Sequence, residues 1–267
     1  MIPEWFAITN IVVFSLFIGS FLNVCIYRLP LKRSIVFPSS HCTRCKSILK
    51  PIDLVPVLTW IFYRGRCRYC KSKISPRYPL VEILTAVLMA LNYLFFGFSL
   101  KFVINSIVSG MLVVVTFIDF DYQIIPDEIT IGGLVVALLF QVVINVLAPQ
   151  LSPYFYQIGL YQAVFGAAIG GGLLYLIAFV SRGGMGGGDV KLAALLGALY
   201  GPEIILMILF VSFVLGGSIG LLLITLGIKG RKDYIPFGPY ICLAVLIVLF
   251  VTPDRLTEMY YAFPRMF

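Results

Sequence analysis

The sequence predicts an all-α polytopic membrane protein of about eight transmembrane helices, with a small cytoplasmic zinc-binding domain between the first two. Three observations carry that expectation. Of the 267 residues 60% are hydrophobic and 12% charged, with a mean hydropathy of +1.01; soluble domains have about 45–50% apolar and about 25% charged residues. A water-soluble fold of this size could not cover so much apolar surface, which excludes a cytosolic globule, and a disordered chain is excluded by the same excess. Apolar runs of about 20 residues, the length that crosses the hydrocarbon core, recur along the chain. Charge, finally, is concentrated: twelve basic residues lie between Arg28 and Pro79 against one acid, Asp53.

The first run, Trp5 to Tyr27, has its basic residues after it and none before, so it reads as a retained helix and not a cleaved signal peptide. Residues 28–79 then form the cytoplasmic domain, and 80–267 the transmembrane core. Further runs cover 80–98, 101–118, 128–148, 159–181, 189–201, 203–228 and 235–252, the 189–201 run being short enough to be half of a broken span. Orientation follows from the positive-inside rule. With the 28–79 loop inside, strict alternation also puts 119–127, 182–188 and 229–234 inside. Seventeen of the 20 basic residues are then cytoplasmic, including Arg182, Lys191, Lys229, Arg231 and Lys232; only Lys101, Arg255 and Arg265 are outside. The N-terminus is expected outside. The net charge of +8 is thus an orientation signal, and nucleic acid is not needed to explain it.

The basic loop reads His41-Cys42-Thr43-Arg44-Cys45, a 21-residue spacer, then Cys67-Arg68-Tyr69-Cys70. Two CxxC knuckles can give one tetrahedral zinc ion four thiolates from Cys42, Cys45, Cys67 and Cys70. Neighbouring Lys and Arg would lower the thiol pKa values. Two disulfides are the alternative, disfavoured in a reducing cytoplasm; a redox CxxC would need no second copy. Four cysteine ligands leave no open position, so such a zinc is structural. Cys25 and Cys242, in apolar runs, read as packing residues.

Acids are rare and clustered. Asp119, Asp121 and Asp127 fall in Phe117-Ile118-Asp119-Phe120-Asp121-Tyr122-Gln123-Ile124-Ile125-Pro126-Asp127, and Asp189 follows a run in which five of six residues are glycine. Carboxylates at a bilayer are costly and mark functional sites, although Asp121, Asp127 and Glu128 read equally well as solvated edge residues. Glycines allow close backbone approach and leave N–H and C=O groups open to an extended peptide. A helix start at Asp189 would favour its ionised form. A flexible hinge would need the glycines but gives no reason for the aspartate.

One histidine, itself in the cysteine loop, leaves no Ser-His-Asp triad, Cys-His pair or HExxH site. Gly216-Gly217-Ser218-Ile219-Gly220 matches G-x-S-x-G formally, but inside an apolar run it reads as helix packing. Two carboxylates sharing a proton remain the best candidate apparatus, one activating water while the other donates to a carbonyl oxygen.

These residues resemble the type IV prepilin peptidases, bacterial membrane aspartyl proteases of the GxGD class. The likeness runs in order through Gly19-Ser20-Phe21-Leu22-Asn23-Val24, Tyr27-Arg28-Leu29-Pro30, Ser40-His41-Cys42 and Arg64-Gly65-Arg66-Cys67-Arg68-Tyr69-Cys70. It continues through Ser75-Pro76-Arg77-Tyr78-Pro79-Leu80-Val81-Glu82, the Asp119–Asp127 segment, Gly184-Met185-Gly186-Gly187-Gly188-Asp189-Val190-Lys191 and Pro236-Phe237-Gly238-Pro239-Tyr240. The family's first acidic motif, Asp, five residues, Ile or Leu, Pro, then Asp or Asn, is met from Asp119 through Ile125, Pro126 and Asp127. The resemblance therefore implies Asp119 and Asp189 as the catalytic pair, and two residues apart on a helix Asp119 and Asp121 cannot face the same way.

It further implies prepilin and pseudopilin substrates, whose short basic leader is cut at the cytoplasmic membrane face of the inner membrane. Relatives with the four-cysteine domain are typically bifunctional and N-methylate the new terminus with S-adenosylmethionine (SAM). The chain departs from the family in two places: Ile52-Asp53-Leu54-Val55-Pro56 stands where Asp-Asn-Ile-Pro is common, and Thr43 replaces a common proline. No separate SAM fingerprint is visible, and the oligomeric state is left open. A proton-coupled transporter using the intramembrane carboxylates is the alternative from a different class; it predicts an inverted repeat, which the sequence lacks. A zinc-dependent membrane scaffold without catalysis is a third reading.

Overall fold

The structure, a computed structural model, describes residues 3–147, 158–181, 184–228, 230 and 235–251. The expected basic turn residues Arg182, Lys229, Arg231 and Lys232, and Arg255 and Arg265, lie outside the described residues. Each of the eight apolar runs is largely helical over its described residues. The helices are α1 (Glu4–Arg28), a short α2 (Leu58–Phe62), α3 (Arg77–Phe96), α4 (Leu100–Tyr122), α5 (Asp127–Val142), α6 (Leu160–Val180), α7 (Gly187–Thr225) and α8 (Gly238–Phe250). Among the described residues no strand forms; the pairs His41–Ile48 and Arg66–Lys73 are isolated bridges.

Among the described residues six helices are long and apolar enough to cross a membrane, fewer than the eight runs for two reasons. The runs at 189–201 and 203–228 join as α7, 39 residues broken at Gly201, whose φ of 81° and ψ of 177° are non-helical. Gly201 takes this left-handed conformation cheaply, and Pro202 restarts the helix where its missing N–H costs nothing. The half before the break is only about 21 Å long at 1.5 Å per residue, short of the ~30 Å hydrocarbon core. The last helix, α8, has 13 residues and is shorter still.

The chain divides into two compact units, Met1–Tyr122 and Gln123–Phe267. In the first, α1 packs on α3 and α4, and α3 on α4. Asn23 of α1 donates to the carbonyl of Tyr78 at the start of α3, 3.1 Å away. Buried Arg28 ends α1 and turns the chain into the cysteine loop by donating to the carbonyls of Ser34 (2.9 Å) and Pro38 (2.7 Å). Cys25 is buried in this unit.

In the second unit, α7 is the central element, packing on α5, α6 and α8. Its contact with α6 is backbone against backbone: a methyl added at Gly166 or Gly197 would overlap the carbonyl of the other. Apolar attraction does not draw helices together in lipid, so dispersion between closely approaching backbones holds this pair. The G-x-S-x-G match lies within α7, where Gly216 faces the rings of Phe237 and Tyr240; no strand precedes it, and packing accounts for it. Cys242 of α8 is buried likewise.

Candidate active site and metal centre

In the first unit the acidic segment is helical to Tyr122, so α4 runs beyond the expected end of its apolar run and carries Asp119 and Asp121 on different faces. Asp119 is 3% exposed. Asp121 is exposed and ion-paired with Arg77, whose guanidinium also donates to the carbonyl of Phe117 at 3.2 Å and lies 4.9 Å from the Phe117 ring centroid. The two aspartates therefore separate by burial: one faces the protein and the other makes a surface ion pair.

In the second unit Pro126 leads into α5, and Asp127 occupies its first turn, exposed. Lys191 Nζ donates to Asp127 Oδ1 at 2.6 Å. Asp189 lies in the first turn of α7, its N–H bonded to the carbonyl of Gly186 at 3.1 Å, and is 4% exposed. The glycine before it has a defined job, since a methyl on Gly188 would lie 2.9 Å from Ile125 Cβ and 3.3 Å from Ile125 N. The Ile125-Pro126-Asp127 segment and the Gly-Asp turn are thus packed together within one unit.

The four cysteines of the loop converge: the Sγ atoms of Cys42, Cys45, Cys67 and Cys70 all lie within 4.8 Å of one another. Zinc–sulfur bonds of about 2.3 Å in a tetrahedron imply sulfur–sulfur edges of about 3.8 Å, and Cys42 Sγ is 3.9 Å from Cys70 Sγ. The donor set fits a metal ion. Both knuckles are built alike. Cys42 N donates to Ser47 O (3.0 Å) and Lys46 N to Cys42 O (2.9 Å); Cys67 N donates to Ser72 O (2.8 Å) and Lys71 N to Cys67 O (2.9 Å). Lys46 and Lys71 both have positive φ, 61° and 58°, an uncommon conformation for a non-glycine residue. The hexapeptide C-x-x-C-K-S at 42–47 and 67–72 encodes this repeat. It is a sequence signal that the CxxC spacing alone does not use.

Hydrogen bonds from the Ser72 side chain and backbone pull the Cys70 thiol down to about 6, and the backbone N–H of Cys45 lowers Cys42. Burial raises Cys67. Asp53 braces the module between the knuckles. Its carboxylate accepts from Lys50 N (3.1 Å), Tyr69 OH (2.9 Å) and Arg68 (3.4 Å). Desolvation pushes this carboxyl upward, but those three donors outweigh it and hold it below the usual range.

Sequence reasoning assigned no role to Glu82. It is buried in α3 and accepts the N–H of Val57 at 2.7 Å. Val57 has a positive φ of 59°, costly for a β-branched residue. The carboxylate thus secures the chain where the cysteine module rejoins the helices, and its place in the Pro79-Leu80-Val81-Glu82 motif was the available signal.

Fold and site together define a multi-pass helical membrane protein with a four-thiol module in its first unit. Comparison with known proteins narrows the class to an enzyme. The model of the bacterial peptidase A24 N-terminal domain matches residues 13–96, and that of the type IV leader peptidase family matches residues 106–221. A Legionella pneumophila protein named prepilin leader peptidase/N-methyltransferase is 34% identical, over 92% of this chain and 92% of its own. Proteins of the same name from Aeromonas hydrophila (34%, over 96% of this chain and 94% of its own) and Bacillus subtilis strain 168 (32%, over 93% and 95%) are similarly close. No solved structure matches. The chain belongs to the type IV leader peptidase family, and it is a peptidase.

Proposed function

We propose that this protein is an aspartyl endopeptidase of the cytoplasmic (inner) membrane. It removes the short basic leader of type IV prepilins and pseudopilins at the cytoplasmic face, with Asp119 and Asp189 as its catalytic pair. One observation carries the choice of residues. Of the four aspartates in the two acidic segments, Asp119 and Asp189 are buried, whereas Asp121 and Asp127 are exposed and already paired with Arg77 and Lys191.

In this mechanism the two carboxyls share one proton, because two adjacent carboxylates cannot both ionise cheaply. The ionised member takes a proton from water as its oxygen attacks the scissile carbonyl carbon. The protonated member donates to the carbonyl oxygen, and collapse of the tetrahedral species passes a proton to the leaving amine. The apparent pKa values belong to the pair.

The functional division is 1–27 as first membrane helix, 28–79 as cytoplasmic zinc domain and 80–267 as protease core. Zinc held by Cys42, Cys45, Cys67 and Cys70 would be closed and structural, giving a small domain the folding energy that its core lacks. By likeness to relatives named for both activities, a second activity follows cleavage: transfer of a methyl group from SAM to the new N-terminal amine. A proton-coupled transporter finds no support in the family match.

Incubating the purified protein with a prepilin and SAM, then measuring intact mass, tests both activities at once. Loss of the leader mass reports cleavage, and a further gain of one methyl group reports the transfer. An unchanged prepilin mass rejects the peptidase assignment.

A further inference from the structure

Two hollows of about 480 and 460 Å³ open on the cysteine module. Arg66 and Lys71 line both, so the hollows adjoin. Arg44 and Lys73 complete one, and Arg64 and Phe62 belong to the other. No acid lines either. All five cations are exposed, and none takes part in an ion pair among the described residues. The single acid of residues 28–79, Asp53, is occupied by Lys50, Arg68 and Tyr69.

Apolar side chains stand beside this charge. Phe62 is 78% exposed, and Leu58 and Ile61 of the same short helix α2 are exposed too. A module facing only water would gain by burying them. Unpaired cations next to exposed apolar residues match the physics of an interfacial anchor, in which phosphates meet Lys and Arg while aromatic and aliphatic groups reach the acyl boundary. The module is tethered at both ends to membrane-crossing helices, α1 ending at Arg28 and α3 beginning at Arg77.

We propose that this face of the cysteine module docks on anionic phospholipid headgroups of the bilayer its flanking helices cross. The lipid phosphates would sit in the two basic hollows, with Phe62 at the acyl boundary. Charge argues against two other occupants: a basic leader peptide, and the sulfonium and ammonium groups of SAM, would each be repelled by five cations.

Hydrogen–deuterium exchange on the full-length protein in nanodiscs tests it. Amides of residues 58–73 are expected to exchange roughly fivefold or more slowly in discs containing phosphatidylglycerol than in pure phosphatidylcholine, as a cluster of five surface cations implies. The difference should collapse in about 1 M sodium chloride, where the Debye length is ~3 Å. It should also vanish in the variant Arg44→Gln/Arg64→Gln/Arg66→Gln/Lys73→Gln, with zinc content measured alongside; if that variant loses zinc, the salt arm on the unaltered chain decides. Equal exchange in both lipids overturns the proposal, as does protection that survives high salt. Full protection by inorganic phosphate in phosphatidylcholine discs also overturns it, marking a soluble-anion site instead.

Discussion

Lys191 Nζ lies 2.6 Å from Asp127 Oδ1, joining the start of α7 to the start of α5. Two segments 64 residues apart in sequence are thereby tied beside the Gly188–Ile125 contact, two residues from Asp189. Both side chains are exposed, so the pair contributes about 1 kcal/mol at most to stability. Its effect should appear in the position of Asp189. Lys191→Met is expected to lower cleavage severalfold while leaving thermal unfolding nearly unchanged. Asp127→Asn should do the same, and the double variant should be no worse than either alone. Strictly additive losses in that cycle would show that the pair does not act as a unit.

Replacing either buried aspartate should be far more severe. Asp119→Asn and Asp189→Asn are each expected to reduce prepilin cleavage by about 10³-fold or more, the scale of a lost general acid or base, with protein still in the membrane fraction. Asp121→Asn should keep most of its activity. Normal cutting by both buried-site variants would sink the aspartyl mechanism.

For the metal centre, Cys42→Ser together with Cys67→Ser removes one thiol from each knuckle. Zinc content, measured by elemental analysis of the purified protein, is expected to fall to background, and the amides of residues 40–48 and 65–73 to exchange faster. Full zinc retention would rule out the four-thiolate assignment.

The Asp53 brace can be tested separately. Asp53→Asn keeps the shape but removes the charge that Arg68 and Tyr69 meet, and should cost the module about 1–2 kcal/mol of local stability. Because the folded carboxyl is held below its unfolded value, its contribution is present above the unfolded pKa of about 4 and lost as pH falls through the folded one. Local exchange of residues 50–54 between pH 3 and 6 would follow that dependence in the parent and not in the variant.

At the α6–α7 crossing, Gly197→Val adds an isopropyl group whose Cβ would lie 2.1 Å from the carbonyl oxygen of Gly166. Overpacking of this kind costs about 1–3 kcal/mol or more. Lower thermal stability in detergent is expected, with the cysteine module's zinc content unchanged. An unaltered melting temperature would mean that the two backbones do not approach so closely.

Much of this was legible in the chain itself. Hydropathy located every helix but the short α2 of the cysteine loop, because a helix in lipid must be apolar around its surface and satisfy its own backbone hydrogen bonds. The CxxC spacing located four thiols that do converge. Helix lengths were harder: composition does not say that Gly201-Pro202 breaks one continuous element instead of separating two spans, since that depends on the φ of one glycine. Glu82 was visible only as a letter in a motif, because the donor it serves, the N–H of Val57, is 25 residues away.

By itself the sequence determined the class of protein, its membrane helices, its family and the short list of acids, since these rest on local composition and on order along the chain. Only the tertiary structure showed that Asp119 and Asp189 are buried and that Asp121 and Asp127 make surface ion pairs. Burial and ion pairing depend on what lies opposite a side chain: Arg77 reaches Asp121 across 44 residues and Lys191 reaches Asp127 across 64. The burial of Asp119 and Asp189 is likewise a property of packing, which no local pattern encodes.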